Sequence, residues 1–379
     1  MLATFAVMAI GYMARPAGAL VLGWVGDRFG RRKMLIIAIM ILGASSCSIG
    51  LLPTHASIGR LAPVLLILLR LAQGFSVGGE YTGSMAYSCE VAKSKNRGLL
   101  SSFATTGATA GLLLSISVIG FITLVFGNDA LKVWGWRIPF LMGFIIMCFG
   151  LVFLTKIPET LDAEKTPDIP EKSVISVLRI YWRDLLRVII IVTGSNIAFY
   201  IVFIFCTDMA VQAGNPNIEK MNIIAMLVLI PSTILGGWLS DRFGRKRVSL
   251  ICNVVLAIIM APVFSMCFSF TLWPSGPALT PYISYLIGLL LMAVPMGIIL
   301  GVQGVMITEL IPKQVRCTVF SVSYSLAMGI FAGTSPMVAE WMVKREIWDV
   351  GPAIYTILWL VPAILVISRC KETAFTKFE

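Results

Sequence analysis

Charged residues are scarce in this chain. They make up 13% of its 379 residues, against about 25% in a soluble domain. Histidine is nearly absent. His55 stands alone, which leaves no basis for a histidine metal centre or a histidine proton relay. The cysteines at 47, 89, 148, 206, 252, 267, 317 and 370 are scattered, and none forms a C-x-x-C pair. That pattern excludes a disulfide framework and a thiolate metal site, and leaves them as small packing residues. No glycine-rich phosphate loop is present, which argues against a primary pump. No nucleophile–base constellation or cofactor motif points to an enzyme. The chain also lacks a basic leader with a small-residue cleavage pattern, and is apolar from Met1 onward.

What remains is hydrophobic. Apolar residues reach 58% and the mean hydropathy is +0.90. A membrane-spanning helix needs about 20 predominantly apolar residues. Eleven stretches qualify: 1–25, 34–52, 61–89, 98–127, 136–156, 187–212, 220–240, 248–270, 280–309, 316–343 and 350–369. The reading is an all-α multi-pass membrane protein whose first partner is the lipid bilayer. The net charge of +11 would suggest nucleic acid in a soluble protein. Here the basic residues lie in short loops, so no nucleic-acid partner is expected. The loops around 26–33, 90–97, 156–187, 240–247 and 310–316, with the tail from 369, hold 22 of the 30 Lys and Arg. The opposite loops hold six, and Arg15 and Arg70 lie within spans. This asymmetry places the first set, and the C-terminus, in the cytoplasm.

One stretch occurs twice. GWVGDRFGRRK at 23–33 returns as GWLSDRFGRKR at 237–247, offset by 214 residues. Seven of the eleven positions are identical, and two more exchange Arg and Lys. Two further landmarks keep the order. Glu90 and Arg97 recur as Glu309 and Arg316 at offset 219, and Glu159-Thr160 recurs as Glu372-Thr373 at offset 213. The chain therefore divides into an N-terminal bundle (1–156), a cytoplasmic central loop (157–186) and a C-terminal bundle (187–379). Such pseudo-symmetric bundles are a transporter architecture. The 179–187 stretch, aromatic and basic, predicts a short interfacial helix. Two spans precede the second copy of the motif within its half, but only one precedes the first. The repeat thus predicts five helices in the first bundle and six in the second, with a helix missing before Met1.

These residues resemble the major facilitator superfamily. Its signature G-x-x-x-D-R-x-G-R-R/K is matched at every fixed position by Gly23 to Arg32 and by Gly237 to Lys246. RLAQGFSVGGEY at 70–81, Arg15-Pro16, WRIPF at 136–140 and the stretch from Glu309 to Arg316 resemble the metabolite:proton symporter family within it. The resemblance implies the major facilitator fold. It also implies a monomeric carrier in the cell's inner or plasma membrane that moves a small organic solute with protons by alternating access. The solute would be an osmolyte such as proline or betaine, or a di- or tricarboxylate. Family members carry a first helix with an acidic and aromatic motif that has no match here. That leaves two alternatives open: a truncated non-transporting remnant, or a sugar-porter-like facilitator. The glutamine-rich pattern of sugar porters is missing from 193–200.

Charges inside a bilayer are costly and are paired or functional. At 100° per residue, Gln73, Glu80 and Tyr87 fall within about 40° of one another, with Arg70 and Ser84 in a neighbouring row. Arg70 is a candidate for attracting a carboxylate substrate. A carboxyl group in apolar surroundings holds its proton more readily than in water, which suits Glu80 to a proton-coupled step. The competing role for both is a structural Arg–Glu pair. Arg15 faces the cavity or snorkels. Asn196 and Tyr200, one turn apart, reach the substrate or serve packing. Asp208 is expected to be solvated, and Glu340 to pair with Lys344. The repeated motif is read as a gate. Gly23, Asp27, Arg28, Gly30 and Arg31 form one copy, and Asp241, Arg242, Gly244 and Arg245 the other. Each Asp caps a neighbouring helix or pairs with an arginine. Each Gly permits the turn, and the basic pair that follows anchors at the anionic leaflet. Glu90 with Arg97 and Glu309 with Arg316 are read as further gate contacts. The Gly107/Gly111 and Gly329/Gly333 pairs are read as close-packing sites.

Overall fold

A computed structural model of the chain describes residues 2–160, 174–212, 218–272, 280–345 and 350–376. Among them there is no strand. Eleven long helices follow in order: α1 (Leu2–Phe29), α2 (Arg31–Leu51), α3 (Leu61–Val91), α4 (Arg97–Ala130), α5 (Arg137–Lys156), α6 (Trp182–Gln212), α7 (Ile218–Phe243), α8 (Arg245–Leu272), α9 (Thr280–Leu310), α10 (Lys313–Lys344) and α11 (Gly351–Arg369). The ten from α2 onward are long and apolar enough to cross a membrane. Helix α1 spans 28 residues, about 42 Å at 1.5 Å per residue. Each helix overlaps one stretch that hydropathy picks out.

Residues cluster into two compact units. The first holds 1–91, 110–182 and 311–325; the second holds 92–109, 183–310 and 326–379. Within the first, α1 lies along α3. A Cβ at Gly74 or Gly78 would collide with the backbone carbonyls of Gly11 and Arg15, so only glycine lets the helices approach this closely. Within the second, α7 lies along α9 in the same manner, with Gly297 and Gly301 against Ser232 and Thr233. The pairs Gly74/Gly78 and Gly297/Gly301 are repeat equivalents.

The glycine pairs expected to pack closely do not. A Cβ at Gly107, Gly111 or Gly329 would have nothing within 4 Å, and one at Gly333 would meet only its own helix. A small residue permits close approach but does not compel it. The helix contacts are made elsewhere. The interfacial helix expected over 179–187 also differs. A short helix covers Val174–Ile180, Tyr181 interrupts it, and Trp182 already opens α6. The apolar run from Val188 to Phe199 draws the aromatic and basic residues into the spanning helix as its first turns. The rest of the central loop, 161–173, lies outside the described residues.

Two helices widen locally. In α6 the Cys206 N–H reaches the Ile201 carbonyl, and in α10 the Gly333 N–H reaches that of Met328. Such wide turns are rare and concentrate at functional sites. Tyr200 begins the first of them.

Candidate functional site

The repeated motif builds two networks of buried charge. In the first unit α1 ends at Asp27 and the chain turns at Gly30, whose φ of 105° is open to glycine without strain. Asp27 Oδ1 accepts the N–H of Cys317 at 2.9 Å, and Oδ2 that of Thr318 at 2.8 Å. It thereby caps the helix that Arg316 begins. Arg31 lies 3.4 Å from Asp27 and 3.2 Å from Glu90. It also donates to the carbonyls of Gly26 and Lys313, at 2.7 and 2.6 Å. Glu90 further accepts from Arg316 at 2.8 Å and from the Thr160 hydroxyl at 2.6 Å. Glu159 receives the backbone N–H of Arg32.

The second unit repeats this plan. Gly244 has φ 103°. Asp241 accepts the N–H groups of Gly98 and Leu99 at 2.9 and 2.8 Å, capping α4. Arg245 meets Asp241 at 2.7 Å and Glu309 at 3.3 Å. Arg97 lies 3.6 Å from Glu309, and the Thr373 hydroxyl donates to Glu309 at 2.6 Å. Glu372 receives the Arg245 N–H at 2.7 Å.

Three expectations change here. The glutamates and arginines pair crosswise: Glu90 with Arg316 and Glu309 with Arg97, not Glu90 with Arg97 and Glu309 with Arg316. The arginines that follow the glycine turns are not leaflet anchors. The side chains of Arg31 and Arg245 are 0% and 1% exposed, because carboxylates converge on them. Glu159, Thr160, Glu372 and Thr373, which the sequence offered only as landmarks of the repeat, are members of the networks. Their shared offset of 213 residues was the available signal. Arg28 and Arg242 stay outside the ion pairs and stack over Trp24 and Trp238 at 5.3 and 5.4 Å.

The polar row of α3 is dispersed. Arg70 Nη1 donates to Gln73 Oε1 at 3.1 Å, and Gln73 Nε2 donates to Ser46 of α2 at 2.7 Å. The Arg70 guanidinium lies over the Phe140 ring of α5 at 5.3 Å. Tyr87 donates to the Pro158 carbonyl at 2.9 Å, beside the charge network. Ser84 bonds back to Tyr81. No ion pair joins Arg70 to Glu80, and among the described residues Glu80 makes none. Arg15 stacks over Tyr12 at 4.2 Å.

In the second unit Asn196 is buried and donates to the Val192 carbonyl of its own helix at 2.8 Å. Its neighbour Ser195 accepts from Gln303 of α9 at 3.1 Å. Gln303, a lone amide in the apolar 280–309 span, went unread in the sequence. Asp208 is exposed and accepts from Gln212, and Glu340 pairs with Lys344 at 2.6 Å. No group of three His, Cys, Asp or Glu side chains converges among the described residues.

Comparison with known proteins follows the same lines. A family model described as Major Facilitator Superfamily matches residues 2–215, and one described as Sugar (and other) transporter matches 165–379. The ectoine/proline transporter of Corynebacterium glutamicum is 32% identical over 395 residues, covering 99% of this chain and 76% of the relative. The proline/betaine transporter of Escherichia coli K12 is 30% identical over 389 residues, with the same coverage. Among solved structures, the proton:xylose symporter XylE bound to 6-bromo-6-deoxy-D-glucose superposes with a TM-score of 0.77 at 19% identity, covering 96% of this chain and 85% of that one.

Proposed function

Since the chain belongs to the major facilitator superfamily and is a multi-pass secondary transporter of a small molecule, not an enzyme, we propose that it carries an osmolyte of the proline, betaine or ectoine type together with protons. The two charge networks act as the gate at its cytoplasmic end. One observation carries this reading. Each motif Asp caps a helix that belongs to the other half of the sequence repeat. Separating the halves at that end breaks both caps and both crosswise ion pairs, so the networks hold one state of an alternating-access cycle closed. The printed activities of the two curated relatives support the substrate class.

Glu80 is the candidate for proton coupling. Asp27, Glu90, Asp241 and Glu309 are all neutralised by arginines. Glu80 has no such partner, so its charge is available to a proton. Arg15, Arg70 and Gln73 of the first unit, and Asn196 and Tyr200 of the second, remain candidates for solute contact. Tyr87 is better assigned to the gate end. The working unit is a monomer in the inner or plasma membrane with its C-terminus in the cytoplasm.

The test is uptake into proteoliposomes under an imposed inward proton gradient. Labelled proline, betaine or ectoine accumulates, and a protonophore abolishes the accumulation. The Glu80→Gln variant exchanges solute across the membrane but no longer concentrates it. Uptake of xylose in place of osmolytes would favour a sugar porter, the reading supported by the second family match over 165–379. Failure to take up any of these or a dicarboxylate would sink the transport reading.

A further inference from the structure

A cleft of about 830 Å³ opens in the second unit beside the end of α7, with Lys95, Arg97, Trp238, Asp241, Arg242 and Phe375 in its walls. Its charge balance is positive. Asp241 is already committed. Both its oxygens hold the N–H groups that open α4, and Arg245 stands 2.7 Å away. Arg97 faces Glu309 at 3.6 Å. Lys95 is exposed, and Arg242 lies over the Trp238 ring at 5.4 Å. Neither joins an ion pair among the described residues. Two cations without carboxylates thus share one open cleft with a third that is only loosely held.

The rest of the wall is apolar and open. Trp238 is 43% exposed and Phe375 71%. The cleft lies at the end of the chain where Lys and Arg concentrate, the end that faces an anionic leaflet. An ammonium and a guanidinium fork converging on one space, with aromatic rings alongside, suit a phosphate oxygen cluster better than a single carboxylate.

We propose that this cleft binds a phosphate-bearing anion, supplied either by a phospholipid headgroup or by a soluble phosphate ester. A phosphate held between Lys95 and Arg242 would tie the segment that precedes α4 to the end of α7. It would brace the Asp241 cap from outside. Chain around Phe375 would lie against an acyl or organic tail.

The probes are phosphatidylglycerol, phosphatidylcholine, glycerol phosphate and inorganic phosphate, each titrated into the purified full chain in nonionic detergent. Retention is read by native mass spectrometry and stabilisation by thermal shift. The parent retains phosphatidylglycerol, and the Lys95→Gln/Arg242→Gln double variant binds it about tenfold more weakly. Arg60→Gln, at the opposite end, changes binding less than twofold. Arg242→Lys with Lys95 intact keeps most of the affinity, which separates loss of charge from loss of fold. Competition by glycerol phosphate or inorganic phosphate identifies a soluble source, and binding of phosphatidylglycerol without such competition identifies the lipid. Equal binding by the parent and the double variant, or no binding of any phosphate probe to the parent, overturns the proposal. Neither outcome bears on transport, which is read separately.

Discussion

Replacing Glu90 tests whether the first network is a gate or only an internal support. Glu90 accepts from Arg31 at 3.2 Å, from Arg316 at 2.8 Å and from Thr160 at 2.6 Å. The side chains of Glu90, Arg31 and Arg316 are 3%, 0% and 1% exposed. In Glu90→Ala both guanidinium groups stay buried with one carboxylate, Asp27, left between them. Removing one partner of a buried pair costs about 3–5 kcal/mol, which should lower the unfolding temperature sharply. Glu90→Gln is the sharper probe, because the amide keeps an acceptor oxygen and loses only the charge. A hydrogen bond to a charged group contributes about 1.5–3 kcal/mol. If about 2 kcal/mol of that exists only while the gate is closed, the closed-to-open ratio falls about thirtyfold. Cys317 reports the change directly. It is 1% exposed and donates its N–H to Asp27. With the other cysteines replaced, its thiol should be protected from a water-soluble maleimide in the parent and labelled about thirtyfold faster in Glu90→Gln. Labelling within twofold of the parent in both variants, with unchanged melting, would refute the idea that this network controls access.

Three further outcomes follow from the geometry. Asp241→Asn keeps one acceptor for Gly98 or Leu99 but loses the second bond and the ion pair with Arg245. Thermal unfolding in detergent should show a loss of about 1–3 kcal/mol, and Asp27→Asn a similar loss. Gly30→Ala and Gly244→Ala each place a Cβ against Glu159 or Glu372 at a φ above 100°. Both should cost more than about 1–2 kcal/mol and reduce the folded yield seen by fluorescence-detected gel filtration. Gly107→Ala and Gly111→Ala should be neutral within about 0.5 kcal/mol or slightly stabilising, because nothing lies within 4 Å of the added atom. Gly301→Ala, which would strike the Thr233 carbonyl, should be severe by the same melting assay.

The spans were legible because hydropathy over about 20 residues records the bilayer itself. The repeat was legible because both copies do the same work, which is why the capping role of Asp27 and Asp241 could be anticipated. The partners could not. A Glu and an Arg seven places apart read as neighbours, yet Glu90 ends α3 and Arg97 opens α4 after a tight turn, so the two point away from each other. The partner of each lies at the matching turn of the other half, more than 200 residues along the chain. Sequence spacing carries no trace of that distance. The burial of Arg31 and Arg245 was hidden for the same reason: a basic pair after a glycine turn looks like a leaflet anchor until the carboxylates that neutralise it are placed. The polar row of α3 shows a different limit. Helical periodicity fixes direction but not depth. Gln73 and Tyr87 share a face, yet 14 residues separate them, about 21 Å along the axis. The upper one is drawn to Ser46 and the lower to Pro158 beside the gate. Glu80 lies midway between the two and is held by neither network. A carboxylate left over after its neighbours have been committed to structure is where a transported proton has a place to sit, and that is the reason to test Glu80 before any other member of the row.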